Sequence, residues 1–267
     1  MKTALVTGAT DGVGRVVARR LGKDGWRVIA HGRNRERGEA LVKEIEHADG
    51  TATFLQADLS SLDEVRGLAT AVKSETHRLE LLINNAGIGT VGDAPGRHTS
   101  KDGHELRFAV NYLAGFLLTH LLLPLVKAAA PSRIVNVASA GQQAIDFSDV
   151  MLERHYSGAA AYRQSKLAQI LFTVDLAEEL KGSGVIVNAL HPSTFMNTTM
   201  VRQSGTTPVS KVETGAEAIL QLAVSPTIEG KSGLYFNVMN EARADAQAYD
   251  AKARKQLRDL SIRLTGL

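Results

Sequence analysis

Short runs of consecutive apolar residues alternate along this chain with longer stretches whose apolar positions recur at helical spacing. The runs predict strands over 3–7, 26–31, 51–57, 79–84, 132–138, 184–190 and 233–238, with a helix in each interval. In Leu79-Glu-Leu-Leu-Ile83 the apolar residues are nearly continuous rather than alternating, which suits a parallel strand covered on both faces. Strands and helices in alternation imply right-handed βαβ crossovers and a doubly wound α/β fold with a seven-stranded parallel sheet. With no internal repeat or linker, a single domain is expected: a body over 1–240 and a C-terminal helical extension over 241–267.

Composition narrows the picture modestly. The 267 residues are 44% apolar and 22% charged, enough for a packed core, and the net charge of +3 is too mild to argue for nucleic acid. The basic run Lys252, Arg254, Lys255 and Arg258 reads as the solvated face of a terminal helix. The absence of cysteine rules out disulfides, thiolate metal ligands and a cysteine nucleophile, and no metal site is expected. Met1-Lys2 leads straight into the first strand, and the apolar stretch Leu113 to Val126 carries Thr119, His120 and Pro124 and is short for a bilayer. The expectation is a cytoplasmic protein without membrane or nucleic-acid partners.

The candidate chemistry begins with Ala-Tyr162-Arg-Gln-Ser-Lys166, where one helical turn puts a phenol and an ammonium on the same face. Moving a tyrosine pKa from about 10 to about 7 takes roughly 4 kcal/mol. A unit charge about 4 Å away, at an effective dielectric near 20, supplies roughly that amount. Tyr112, Tyr156, Tyr235 and Tyr249 are followed four residues later by Phe116, Ala160, Met239 and Ala253, so Tyr162 alone has such a partner.

A second signal lies at the other end of the chain. The strand-like Thr3 to Thr7 runs into Gly8-Ala-Thr10-Asp11-Gly12-Val13-Gly14 and then a helical segment from Arg15. Such a turn lets backbone N–H groups and the positive end of a helix face a pyrophosphate. Its Gly-x-x-x-Gly-x-Gly spacing departs from the Gly-x-Gly-x-x-Gly fingerprint, and no Gly-Lys-Ser/Thr follows, which argues against the phosphate loop of NTPases.

From about residue 3 to about residue 240 the chain resembles the short-chain dehydrogenase/reductase family. Thr7-Gly8-x-x-x-Gly12-x-Gly14 is similar to its cofactor loop, Asn84-Asn85-Ala86-Gly87 to its motif after the fourth strand, and Tyr162-x-x-x-Lys166 to its active-site pair; Asn111 and Ser139 match the rest of its tetrad. Asp146-Phe147, Tyr156-Ser157, Tyr162 to Ala168 and His191-Pro192 most resemble the retinol-dehydrogenase-like branch. The resemblance implies strand order 3-2-1-4-5-6-7 and an NADP(H)-binding Rossmann catalytic domain over 1–240. It implies interconversion of a carbonyl and an alcohol, with Tyr162 as general acid or base and Lys166 lowering its pKa and holding the nicotinamide ribose. Ser139 would hydrogen-bond the substrate oxygen. Asn111, an amide in an apolar helical run, would be satisfied by a water held against Lys166.

The same resemblance assigns the remaining contacts. Gly8, Thr10, Asp11, Gly12, Val13 and Gly14 would line the pyrophosphate, Asn85, Ala86 and Gly87 the adenosine ribose, and Asp58 the adenine amino group with Leu59 behind the ring. Ser61-Leu-Asp-Glu64 reads as a capping box, which leaves Asp58 free for that contact, and Asn84 reads as a strand-to-strand tie. At the end of the second strand, His31-Gly32-Arg33-Asn34 offers an arginine where NAD enzymes carry a carboxylate. Arg33 can hold a 2′-phosphate, with Arg15, Asn34 and Arg37 as helpers, so NADP(H) is expected over NAD(H).

Beyond His191-Pro192 the family usually has glycine where this chain has Ser193, which blurs the register. Thr194 would reach the cofactor, and either Asn197 or Thr198 would meet its carboxamide. Phe195, Met196, Met200 and Val201 either form an adaptable apolar lid over a lipophilic aldehyde, ketone or alcohol, or simply pack the loop. The helix from Leu113 to Val126 and the active-site helix are the family's usual dimer surface, implying a homodimer or homotetramer. The alternative is a noncatalytic Rossmann protein that senses nicotinamide or binds a partner; filled tetrad positions favour the enzyme.

Overall fold

A computed structural model describes residues 1–90 and 96–267. One sheet of order β3-β2-β1-β4-β5-β6-β7-β8 runs through the molecule. Its strands are β1 (Thr3–Val6), β2 (Arg27–Gly32), β3 (Thr51–Gln56), β4 (Leu81–Asn84), β5 (Ser132–Val137), β6 (Val185–His191), β7 (Tyr235–Asn237) and β8 (Asn240–Ala242). The first seven pair in parallel in the expected order. The eighth was not expected: β8 pairs antiparallel with β7, with Asn237 opposite Asn240. A two-residue hairpin this tight needs a positive φ, and Val238 supplies it at 56°, without the Asn-Gly signal that would betray such a turn in sequence.

Strand β1 shows how the sheet is covered. Leu5 belongs to the core on one face, with α3, α5 and α6, while Ala4 and Val6 belong to the core on the other, with α1, α2 and α8. These helices are α1 (Gly12–Lys23), α2 (Arg35–Glu46), α3 (Leu62–Glu75), α4 (Leu106–Phe108), α5 (Ala114–Ala128), α6 (Gly158–Glu179), α7 (Thr199–Gln203), α8 (Val212–Val224) and α9 (Ala251–Thr265). Alternate residues of each strand thus face opposite helical layers, as the continuous apolar runs require. All eight strands form one sheet, so the chain is a single α/β domain.

Three local expectations need correction. A π-helical turn, Ala109–Leu113, joins α4 to α5, so Leu106–Ala128 is one helix of 23 residues, long and apolar enough to cross a bilayer. Length therefore does not separate it from a membrane span; its most apolar window is 67% buried inside the fold. The capping box before α3 is half formed: Ser61 Oγ accepts from Glu64 N at 3.3 Å, but Glu64 Oε2 accepts from Asp58 N at 2.7 Å instead. The 241–267 extension comprises most of β8, a short 3-10 turn and α9. Arg254, read as part of a solvated face, is buried and bonds Glu178 at 2.8 Å, because α9 lies along α6.

Candidate active site

The glycine loop closes the top of β1. Gly8 (φ 65°) and Gly12 (φ 54°) adopt the left-handed region that costs other residues energy. Gly14 has a different reason: a Cβ there would land on Gly8 O and Asn85 Nδ2, so only glycine lets α1 approach this closely. Asp11 caps α1, accepting from Gly12 N at 2.7 Å. The Val13 and Gly14 N–H groups have no acceptor among the described residues, which leaves a first helical turn with open donors. Thr10 lies against Gly32, where a Cβ would collide with it.

Side chains to which the sequence assigned no bracing role hold this loop. Thr7 Oγ1 accepts from Asn85 N at 3.0 Å and Ala86 N at 3.1 Å, and Asn85 Nδ2 donates to Thr7 O at 2.9 Å. The Asn85 side chain therefore braces the loop, leaving backbone to pass a cofactor. His31 on β2 is buried between the loop and β3: Nε2 lies 3.1 Å from Ala57 O and must carry the proton, so Nδ1 accepts from Gly8 N at 3.4 Å. Burial pushes its pKa down to about 4, against opposing help from Ala57 O and Asp58.

His31 makes stability depend on pH with a definite sign. Its folded pKa lies below the unfolded value near 6.5, so the unfolded chain takes up the proton first as pH falls. The contribution is complete above pH 6.5 and is lost progressively down to about pH 4. The expected loss is about 3 kcal/mol. Denaturant melts of wild type and His31→Gln should diverge across this window, and parallel curves from pH 7 to pH 4 would remove His31 from the account.

Arg33 stands exposed at the end of β2, with its carbonyl accepting from Gln56 Nε2 at 2.9 Å. The proposed helpers are engaged elsewhere: Arg15 pairs with Glu44, Arg37 lies 3.5 Å from Asp11, and Asn34 caps α2 by accepting from Arg37 N. Arg33 has no carboxylate within ion-pair distance among the described residues. Asp58 Oδ1 accepts from Ser60 N at 3.0 Å. Burial tends to raise the Asp58 pKa, but bonds from Ser60 and the charges of Arg33 and Lys101 outweigh it and hold the carboxyl below its ordinary value. Leu59 beside it is buried. Asn84 is the expected tie, donating to Asn136 Oδ1 and Thr119 Oγ1, both at 2.9 Å.

Two tetrad positions meet beside Gly87, where a Cβ would lie 3.2 Å from Asn111 Oδ1 and 3.5 Å from Lys166 Nζ, and the other two beside Gly141, where a Cβ would lie 3.5 Å from Ser139 Oγ and 3.8 Å from the Tyr162 ring. Asn111 sits in the π-helical turn with its amide paired to protein groups. Its Oδ1 accepts from Ile88 N at 2.8 Å, and its Nδ2 donates to Ile88 O at 3.2 Å and Ser165 Oγ at 2.9 Å. Its side chain therefore clamps the strand-four loop to the active-site helix. Lys166 Nζ donates to Val137 O and to Gln169 Oε1, each at 2.9 Å. Gln169, one turn further along α6, was missed because only the fold shows that it turns towards Lys166.

Electrostatics here depart from the simplest reading of the pair. Burial pushes the Tyr162 hydroxyl above its ordinary pKa, with only a hydrogen bond from Ser139 opposing it. The Lys166 ammonium lies 5.8 Å from the phenol ring centre, and burial lowers its own pKa to about 7. The lysine alone thus does not bring the phenol to neutrality, since both groups lose more by desolvation than they gain from each other. Ser139 Oγ also accepts from Gly141 N at 3.0 Å, which fixes the serine at the mouth of β5.

The loop after β6 resolves its register through Ser210. Ser210 O accepts from Asn197 N at 3.0 Å, Ser210 Oγ donates to Thr194 O at 2.7 Å, and Ser193 Oγ donates to Ser210 Oγ at 2.9 Å. Asn197 is turned outward to Arg202, while Thr198 caps α7 and lies against Gly12, where a Cβ would be 3.3 Å from its Cγ2. Thr198, not Asn197, therefore faces the glycine loop. Thr194 Oγ1 bonds His191 Nε2 at 3.0 Å. Of the apolar lid candidates, Phe195 (50% exposed) and Met200 (38%) are open to solvent and Val201 is half-buried. Met196 instead packs against Gly215 of α8 and anchors the loop.

The chain as a whole is similar to known proteins. A family model described as short chain dehydrogenase matches residues 2–208. Retinol dehydrogenase 13 of Homo sapiens is 38% identical over 286 residues, covering 100% of this chain and 85% of the relative. Among solved structures, the Pseudomonas aeruginosa RhlG/NADP active-site complex is 28% identical with a TM-score of 0.72, covering 89% of this chain and 94% of that one. A metagenomic short-chain oxidoreductase in complex with NADP is 29% identical with a TM-score of 0.65, covering 83% and 90%. With a glycine loop, an Asn-Asn-Ala-Gly turn and a Ser-Tyr-Lys cluster brought to one end of the sheet, this chain belongs to the short-chain dehydrogenase family of oxidoreductases.

Proposed function

We propose that this protein is an NADP(H)-dependent oxidoreductase that interconverts a carbonyl and an alcohol, with a lipophilic aldehyde or ketone as the carbonyl partner and Tyr162 moving the proton. The observation that carries the reading is the burial of Lys166 on Val137 O and Gln169 within the same cluster as Ser139 and Tyr162. Burying a lysine works against stability; a nucleotide sensor could use Lys166 on the cofactor ribose, but a tyrosine and a serine set beside it serve proton transfer to a substrate. The cofactor fits this chain: open Val13 and Gly14 N–H donors at the start of a 12-residue helix suit a pyrophosphate, and Gly87 passes the tetrad without a side chain.

When bound, the nicotinamide supplies the hydride. Ser139 positions the carbonyl oxygen by a hydrogen bond and stabilises the charge that grows there. Tyr162, protonated at neutral pH because burial raises its pKa, is suited to donate its proton to that oxygen, which supports the reductive direction. The exposed apolar Met200, which lies against Gly89, and Phe195 on the loop before it support a lipophilic substrate, in keeping with the names of the retinol dehydrogenase relatives. A cytoplasmic location accords with the Leu106–Ala128 helix serving as core. A screen of aldehydes, ketones and retinoids, read as loss of NADPH absorbance, tests the function; inactivity across all of them would leave the binding fold without the enzyme.

Cofactor choice rests on Arg33. A charge-assisted bond to a partly exposed phosphate contributes roughly 1.5 to 3 kcal/mol. Arg33→Ala should weaken NADPH binding by about ten- to a hundredfold and leave NADH nearly unaffected. Fluorescence titration of both cofactors decides it: a wild type that prefers NADH, or a mutant that loses both equally, contradicts the assignment.

A further inference from the structure

Arg107 takes no part in hydride or proton transfer, yet it heads the large side chains sealed inside the fold, at 2% exposure. Each nitrogen of its guanidinium is engaged: Nε donates to Gly89 O at 2.9 Å, one terminal nitrogen to Thr90 O at 2.9 Å, and the other to the Tyr156 hydroxyl at 2.5 Å. Glu105, 1% exposed, lies 3.5 Å from the guanidinium, and its other oxygen accepts from Phe108 N at 2.7 Å. Apolar residues commonly replace a buried ion pair at no loss of stability. Stability alone is therefore a weak reason for the cluster, and its geometry suggests a better one.

The three bonds join segments that border the substrate side of the cleft. Gly89 and Thr90 follow directly on Gly87 and Ile88, which touch Asn111 and lie beside Lys166. Tyr156 precedes Ser157, the cap of α6, and Gly158 has no room for a Cβ because one would land on Thr90 O. On its other side Gly89 meets the α7 lid: a Cβ there would be 3.0 Å from Met200 Cγ. We propose that Arg107, with Glu105 and Tyr156, is a substrate-positioning site: it fixes Gly89 and Thr90 as the floor on which the lid residue Met200 rests, and so sets substrate affinity. The inference rests on the enzyme reading above. A fork is required because two successive carbonyls and a hydroxyl must be held at fixed angles, which a lysine's point charge does not do. The clamp reaches α6 at its start, through Tyr156 and Gly158, and Tyr162 lies one turn further on, so the chemical step should be affected less than substrate affinity.

Three variants test this. Glu105→Gln/Arg107→Met removes both charges together, Arg107→Lys keeps the charge without the fork, and Tyr156→Phe removes one hydroxyl and serves if the others fail to fold. KM for the carbonyl should rise about tenfold or more in the first two and about threefold in Tyr156→Phe, as expected for one or two lost hydrogen bonds. With only uniform binding lost, kcat should stay within about threefold and NADPH affinity and the pH profile of kcat should not move. Hydrogen exchange should quicken in 88–90 and 156–160 but not in 8–14, a readout independent of turnover. Wild-type KM in Arg107→Lys, a joint fall of kcat and NADPH affinity in Tyr156→Phe, or unchanged exchange would each overturn the proposal. A wild type inactive on every carbonyl would sink the enzyme reading, while the exchange data would still decide whether the clamp exists.

Discussion

Tyr162→Phe is expected to lower turnover at least about a hundredfold, the usual size of a lost acid-base contribution, while leaving the fold and NADPH affinity intact. Only the transferable proton disappears: the ring is retained, and Ser139 keeps its bond from Gly141 N. The phenol's pKa lies above its ordinary value, so wild-type carbonyl reduction should hold steady through neutral pH and decline only on the alkaline side. Alcohol oxidation, which needs the deprotonated form, should climb over the same alkaline range. Steady-state rates in both directions, with the thermal midpoint as a control for folding, check these outcomes. A mutant within a few-fold of wild type on any accepted substrate would mean that another group moves the proton.

What was readable in sequence follows from how local each constraint is. Positions that demand glycine, such as Gly8 and Gly12 at positive φ, mark themselves by residue type, and a tyrosine and lysine one turn apart are bound to share a helix face. The same locality gave seven of the eight strands, while their order came from the family resemblance. Constraints set by distant partners were not readable. Arg254 looked like solvent-facing charge until α9 was seen lying on α6, and β8 depends on a hairpin at Val238 and Met239 that no turn residue announces. Asn111 appeared to need a water because nothing nearby in sequence could pair it; Ile88 and Ser165, 23 and 54 positions away, do so. Spacing also could not show burial, which decides the pKa values of both Tyr162 and Lys166.

Replacing Lys166 should separate function from stability. Below pH 7 its ammonium has three donors, of which Val137 O and Gln169 Oε1 take two, leaving the third for a ribose hydroxyl. Lys166→Met, close to lysine in volume, should weaken NADPH binding by about ten- to a hundredfold through loss of that charged bond and lower turnover at least as far. Stability should move the other way. The folded pKa of about 7 lies well below the value near 10.5 in the unfolded chain, so below pH 7 the fold carries the full cost of burying the ammonium. Methionine removes that cost, although Val137 O and Gln169 lose a donor. The mutant's stability relative to wild type should therefore be most favourable below pH 7 and decline steadily as pH rises towards 10.5, because wild type sheds its proton on folding over that range. Denaturant melts of both proteins at pH 6, 8 and 10 measure the difference. A difference that stays constant across the series would mean that Lys166 remains charged in the fold and that its two acceptors offset its burial.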